Sequence, residues 1–349
     1  MPDSASPVAH RHGYVVPPPS PDALIDWPAD FGTRFVVMVD TEEEFDWNAP
    51  LARTGHATAT IAALPEAQAW FAARAVPLTY LIDYPVVSDA RAVAVLAELV
   101  GTGMAAVGAQ LHPWVNPPHD EALTPVNSFV GNLPPALEAA KLDALTAAIA
   151  DAFGAPPAVY RAGRYGIGPA TLALLAARGY RLDSSMRARY DYAGEGGPDF
   201  RAIGNAAFRA GPDGALIALP LTTVFTGRLR AGGRTLYRWS GRIPRGRGVL
   251  ARAGLLSRVA LTPEEMPIAD ALEAVRVALG EGLRVLNFSF HSPSLVPGHT
   301  PYVRDARDLA AFYRWWDQVL ALLAARGARA IASDALIAAA RLAARPCLP

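Results

Sequence analysis

Asp40 and Glu42 stand where the apolar run Phe35-Val-Val-Met-Val39 ends, at the head of the acidic stretch Asp40-Thr-Glu-Glu-Glu-Phe-Asp-Trp47. A buried strand that terminates in several carboxylates carries mutual repulsion, which a metal ion or an arginine would relieve, because opposite charge nearby favours the ionised form. Alternation along a strand points Asp40 and Glu42 to the same side, so they can share one centre; a solvent-facing acidic loop is the plainer alternative. Four further groups sit at similar places. His112 follows the apolar run that leads into Gly108-Ala-Gln-Leu-His-Pro-Trp114; Arg161 opens the tight turn Arg161-Ala-Gly-Arg-Tyr-Gly166; Asp183 lies in Leu182-Asp-Ser-Ser-Met186; and His291 ends Val285-Leu-Asn-Phe-Ser-Phe-His291. Arg161 can pair with Asp40 and hold it ionised and oriented, as a general base requires. A histidine such as His291 can protonate a leaving group near neutral pH, with Asp183 as the expected partner of its imidazole. Taken together, these groups are those of a hydrolytic site.

Placing them calls for a scaffold that brings many strand ends to one face. Short β-branched runs are expected as strands at Arg34–Asp40, Pro77–Asp83, Ala105–Leu111, Ala158–Arg161, Tyr180–Asp183, Ala215–Pro220, Arg284–His291 and Ala328–Ile331. They alternate with segments of helical period at Ile61–Arg74, Asp89–Gly101, Ala136–Phe153, Pro169–Arg178, Ile268–Glu281, Ala306–Ala325 and Ser333–Ala344. That alternation predicts an α/β fold with a parallel sheet, and its seven to eight strands approach a barrel, whose chemistry gathers at the C-terminal strand ends.

Residues 1–32, rich in Pro, Ser, Asp and His and without the apolar core of a signal peptide, are expected to be a flexible N-terminal arm; residues 33–349 are expected to form one domain. Within it, residues 214–263 hold nine arginines and no acidic residue and are expected to be an insertion: a solvated surface, or a platform for an anionic substrate such as a sugar phosphate. Lys and Arg total 32 against 32 Asp and Glu, so no global charge steers the chain toward nucleic acid or an anionic membrane. The single cysteine, Cys347, excludes a disulfide framework and a cysteine zinc site. With no long uncharged apolar stretch, the expectation is a cytoplasmic protein without an integral membrane segment.

In order along the chain, Val39-Asp-Thr-Glu42, Gly108-Ala-Gln-Leu-His-Pro-Trp114, Arg161-Ala-Gly-Arg-Tyr-Gly166, Leu182-Asp-Ser-Ser-Met186 and Phe288-Ser-Phe-His-Ser-Pro-Ser-Leu295 resemble the five motifs of the polysaccharide deacetylase, or NodB-homology, family. The likeness spans roughly residues 33–340 and is nearest to a branch associated with bacterial surface-polysaccharide synthesis, of which the His-Pro-Trp and Asn127-Ser-Phe129 segments are also typical. The resemblance implies a distorted (β/α) barrel with a divalent metal, usually zinc. It implies Asp40 as catalytic base, Arg161 as its brace, the backbone amide of Tyr165 as oxyanion donor, Asp183 as the group that tunes the acid and His291 as that acid. Glu42, His112 and Gln110 are the implied metal ligands, and Trp47, Trp114, Asn127 and Ser185 the implied substrate contacts.

One position departs from the pattern: the family's metal motif places two histidines after a Gly-Ala pair, and the first of these positions is Gln110. Zinc prefers nitrogen and sulfur ligands and would be held more weakly by an amide oxygen. The resemblance therefore implies a metal-dependent amide hydrolase acting on an N-acetylated or N-formylated amino sugar, free or linked to a nucleotide or lipid phosphate. Its alternatives are a metal-independent hydrolase of small amides and a sugar-binding relative that has lost the metal. The aromatic rings of Trp47, Trp114, Phe129, Tyr165 and Trp239 could stack on sugar or simply pack in the barrel mouth.

Overall fold

A computed structural model describes residues 13–47, 49–264 and 266–343. Its main sheet contains β1 (Arg34–Thr41), β2 (Leu78–Ile82), β3 (Ala105–Leu111), β4 (Val159–Ala162), β5 (Leu182–Asp183), β6 (Phe208–Ala210) and β7 (Leu216–Ala218). A separate antiparallel pair is formed by β8 (Thr223–Thr226) and β9 (Ser257–Ala260), and the main sheet is completed by β10 (Val285–His291) and β11 (Arg329–Ala330). The order is β10-β1-β2-β3-β4-β5-β7-β6, with β11 also on β1; every neighbouring pair is parallel except β6 with β7. The sheet curls, and the gap between β10 and β7 is bridged by backbone bonds from Thr222 to Asn287 and from Ser289 to Leu261, on either side of the β8–β9 pair.

Strand alternation explains why one end of this barrel is polar. On β1 the side chains of Phe35, Val37 and Val39 join the layer beneath the outer helices, whereas Val36 and Met38 join a second, inner cluster, and Asp40 continues that inner face. On β10, Leu286, Phe288 and Phe290 pack outward against Phe312, Trp315 and Trp316 of the helix Ala306–Ala325. Val285 starts the inner row, which goes on through Asn287 and Ser289 to His291. Parallel register sets Asp40 opposite His291 and Gln110 opposite Arg161. The apolar end of the interior is closed by Leu336, Ile337 and Ala340 of the helix Ser333–Leu342.

That closure also corrects the expected flexible arm. From Gly13 onward the N-terminal segment is packed: Val15 bridges Asp199, Leu24 bridges Phe208, and Ile25, Trp27 and Phe31 are buried in the inner cluster, with the last two rings stacked at 4.3 Å. Burying three large apolar side chains stabilises the fold by several kcal/mol, roughly 1.5–3 each, which outweighs the disorder that a Pro- and Ser-rich composition implied. Residues 1–12 and Cys347 lie outside the described residues. The arginine-rich stretch contributes β7 to the main sheet as well as the β8–β9 pair, so it is only in part an insertion. No helix among the described residues is long and apolar enough to cross a membrane.

Candidate active site

The ends of β1, β3, β4 and β10 open into a cleft of about 350 Å³ that holds Asp40, Glu42, Gln110, His112, Arg161, Tyr165 and His291. Arg161 is 1% exposed and lies on the inner face of β4. Its Nη1 donates to Asp40 Oδ1 and, at 2.6 Å, to Ser289 Oγ; its Nε and Nη2 donate to the backbone and hydroxyl of Ser184 at 3.1 and 3.0 Å. A buried guanidinium with that many acceptors is held in one position and fixes the Asp40 carboxylate. The expected pairing of Arg161 with Asp40 is present.

Opposite, His291 Nε2 lies 3.8 Å from Asp40 Oδ2. Its Nδ1 contacts Glu264 Oε2 at 2.8 Å, and its backbone N–H donates to Glu264 Oε1 at 2.9 Å. Burial alone would lower the imidazole pKa, but the Glu264 carboxylate, helped by Glu42 and Asp40, raises it to about 10. Glu264 is correspondingly held below the usual carboxylate range, since the His291 charge and three hydrogen bonds outweigh the effect of burial. The partner of His291 is therefore Glu264 and not, as expected, Asp183. Asp183 instead accepts from the hydroxyl and backbone of Ser185, and Ser185 Oγ accepts from Ala162 N at 2.8 Å. Burial raises Asp183 to about 6, against the pull of Ser185 and Arg161. These two residues brace the β4 end from behind the cleft.

Around His112 the chain has built a rigid support. Its Nδ1 donates to Glu43 Oε2 at 2.9 Å, the ring stacks on Trp114 at 4.3 Å, and Trp114 Nε1 donates to Glu43 Oε1 at 2.9 Å. Nδ1 is thereby occupied and Nε2 faces Glu42, whose Oε2 is 3.5 Å away. Glu43, Asp83 and His112 form a buried group with ligand atoms within 4.8 Å of one another, which could hold a metal ion. However, both Glu43 oxygens already accept donors, and Asp83 accepts from Glu43 N at 2.8 Å and Val86 N at 3.0 Å. Unspent acceptors occur instead on the cleft side, where Glu42 Oε1 and Gln110 Oε1 are buried without a hydrogen-bond partner. Two orphaned oxygens beside a free imidazole nitrogen fit a cation better than they fit an apolar pocket, so Glu42, Gln110 and His112 Nε2 suit a metal, with Glu43 and Asp83 as the outer support.

The turn that carries His112 is tied from below by Lys141, which is completely buried and donates to the carbonyls of Pro113, Asn116 and Pro118 at 2.9, 2.6 and 2.6 Å, with Glu121 at 3.1 Å. Lys141→Met should leave three carbonyls unserved and Glu121 with Arg53 at 3.7 Å as its remaining cation, and cost about 3–5 kcal/mol, read as a lowered denaturation midpoint; an unchanged midpoint would remove Lys141 from this role. Gly163 shapes the site from the other side. A Cβ there would sit 2.2 Å from His112 Cδ2 and 2.8 Å from Leu111 O. Gly163→Ala should therefore displace the imidazole and lower kcat/KM about 100-fold, the usual effect of a misplacement near 1 Å, while circular dichroism stays native. Activity within a few-fold of wild type would contradict that placement.

Among the remaining expected contacts, Trp47 sits edge-on to His291 at 5.2 Å and to Tyr302 at 5.6 Å and lines the cleft, as does Trp114. Asn127 does not reach it: its side-chain amide donates to Ala122 O at 2.9 Å and braces its own loop. Tyr165 lines the cleft with Arg164 before it, and both adopt the left-handed conformation, at φ 59° and 53°. Two successive non-glycine residues held there mark a strained turn of the kind that clusters at functional sites. Sequence reasoning missed Glu264, Ser289, Glu43 and Asp83. Asp83 and Glu43 had a usable signal, being carboxylates just beyond the ends of β2 and β1, whereas Glu264 stands four residues past β9.

No protein-family model and no curated protein matches the sequence. Among solved structures, the chain resembles that of a Mycobacterium smegmatis protein assigned to the polysaccharide deacetylases, with 16% identity over 93% of this chain and 95% of that one, at a TM-score of 0.53. Weaker likenesses join it to the PuuE allantoinase (14% identity, 86% and 92% covered, TM-score 0.46) and to a protein of Pseudomonas aeruginosa PAO1 assigned to the polysaccharide deacetylases (14%, 88% and 89%, 0.44). The chain thus has the curled α/β barrel fold of polysaccharide deacetylase structures, as the motif order implied.

Proposed function

We propose that the protein is an amide hydrolase that removes an N-acetyl or N-formyl group from an amino sugar of a surface-polysaccharide precursor, with a divalent metal held by Glu42, His112 and Gln110. One observation carries this reading: a buried, arginine-fixed carboxylate, Asp40, faces an ion-paired imidazole, His291, across 3.8 Å, beside the orphaned oxygens of Glu42 and Gln110. Asp40 Oδ1 is committed to Arg161, so Oδ2 is the oxygen available to take a proton from water. His291, kept protonated by Glu264, hands its Nε2 proton to the departing amine. The Tyr165 amide, on its left-handed turn, serves as a donor to the oxyanion of the tetrahedral intermediate. Bound at Glu42, His112 and Gln110, a divalent ion (zinc in the family that the motifs resemble) supplies Lewis acidity and makes water more acidic. Trp47 and Tyr302 offer apolar faces for a sugar ring at the mouth.

Elemental analysis of protein purified without chelator, paired with turnover of N-acetyl and N-formyl amino sugars, tests the reading. We expect bound metal, activity abolished by chelation, metal lost in His112→Ala and retained more tightly in Gln110→His, because imidazole replaces an amide oxygen. Chelator-resistant turnover by metal-free protein would replace this reading with metal-independent amide hydrolysis.

A further inference from the structure

Six arginines surround a second cavity, of about 450 Å³, beside the β8–β9 pair. Only two carboxylates share it, Asp191 and Asp199, and both are engaged by Arg201, through contacts that include 3.4 Å to Asp191 and 2.9 Å to Asp199. The other five guanidiniums have no such neutralisation from the segment that builds much of the cavity, since residues 214–263 contain no acidic side chain. At the floor, the Nε atoms of Arg189 and Arg258 are buried without a hydrogen-bond partner. Arg189 is held in the left-handed conformation at φ 65°, with Glu281 reaching it only at 3.5 Å. Burial, and then the charge of Arg234 against the help of Glu281, pulls its guanidinium down from its ordinary value. Arg258 is fixed over the Tyr190 ring at 3.5 Å and Arg247 over Tyr237 at 4.4 Å, so the forks are pre-positioned. Arg234 and Arg238 complete an exposed rim. Arg258 Nη1 donates to the Arg189 carbonyl at 3.1 Å and Arg247 Nε to the Tyr237 carbonyl at 3.2 Å, which fixes the forks and leaves the buried Nε atoms of Arg189 and Arg258 unserved; oriented guanidinium donors around a concave space are what an anionic ligand with several acceptor oxygens requires.

The cavity lies close to the hydrolytic cleft, although no residue lines both. Arg187, which lines that cleft, lies 3.9 Å from the centre of the same Tyr190 ring that carries Arg258. Arg187 of the cleft and Arg258 of the cavity thus share the Tyr190 ring, which stacks on Tyr192 at 6.0 Å. We infer that Arg189, Arg234, Arg238, Arg247 and Arg258 form a phosphoryl-binding site that holds the phosphate or diphosphate to which the sugar is attached, while the acylated nitrogen lies at Asp40 and His291. The assignment of the anion to the substrate rests on the hydrolase reading; the existence of the site does not.

Inorganic pyrophosphate titrated into the full chain, followed by calorimetry, tests the site without turnover. We expect binding that weakens steeply with salt, and a Kd at least tenfold higher in the Arg234→Ala/Arg238→Ala double variant, whose substituted residues are on the exposed rim. Turnover of a phosphate-free N-acetyl amino sugar should be equal in both proteins. Tighter binding of UDP than of pyrophosphate would identify a nucleotide carrier; co-sedimentation with phosphatidic acid vesicles, lost in the double variant, would identify a lipid carrier. Equal pyrophosphate binding by both proteins, or none by wild type at millimolar concentration, would overturn the site. If instead the double variant loses pyrophosphate while neither protein cleaves any amide, the site stands and the hydrolase reading fails.

Discussion

Asp40→Asn should lower kcat by about 100- to 10,000-fold, the range expected when a general base is removed, while the protein keeps its fold. The side chains are nearly the same shape, so the amide oxygen can still accept from Arg161 Nη1, and Arg161 keeps its contacts with Ser289 and Ser184; only the long 3.4 Å donation from the Ser289 hydroxyl to Oδ2 is lost. What disappears is the negative charge and the basic Oδ2 facing His291. Removing the arginine instead would confound the result, because a buried carboxylate without its partner costs about 3–5 kcal/mol. Steady-state rates on the best amide substrate, with thermal denaturation of both proteins as control, make the measurement. Near-wild-type turnover would show that Asp40 is not the base.

The second large effect is expected in Glu264→Gln and depends on pH. Without the Glu264 carboxylate, burial pulls His291 down from about 10, so the acid is deprotonated over a range where the wild type keeps it protonated. The alkaline limb of kcat/KM should move to lower pH, with a loss of roughly tenfold or more at about pH 8 and a smaller one at about pH 6. Linkage gives stability the same direction. His291 has a folded pKa raised above its unfolded value of about 6.5, so its contribution is complete below that value and lost as pH rises through about 10. Glu264 has a lowered folded pKa, so its contribution is present above the ordinary carboxylate value and lost as pH falls through the lowered one. The pair is therefore intact through the neutral range, and the variant should lose stability there. A pH profile superimposable on that of wild type would contradict the pairing.

How much of this could be read from the chain depends on where each residue stands. Asp40 ends a continuous apolar run and His291 a strand whose apolar and polar residues alternate, so both strands and their polar ends were legible; β3 and the helix Ala306–Ala325 fall where the pattern put them. Glu264 was not found because it follows a short strand inside an arginine-rich stretch, and its link to His291 arises only when β8 and β9 bridge the open side of the barrel. Asp183 has the same local signal as Asp40, yet Ser185, two residues on, claims it. That competitor is local, since an Asp-Ser-Ser sequence offers its own carboxylate a turn partner, and the turn signal outweighed the strand-end one. The N-terminal segment misled for the opposite reason: its Pro- and Ser-rich composition outweighed Ile25, Trp27 and Phe31, which acquire meaning only against the open end of a barrel.

The most direct test of the central claim is hydrolysis in ¹⁸O-water by the metal-supplemented protein, with the released carboxylate analysed by mass spectrometry. The account predicts acetate or formate carrying solvent oxygen from an N-acylated amino sugar, and none above background from Asp40→Asn. Failure of the metal-loaded wild type to release labelled carboxylate from any N-acetyl or N-formyl amino sugar, whether free, nucleotide-linked or lipid-linked, would contradict it.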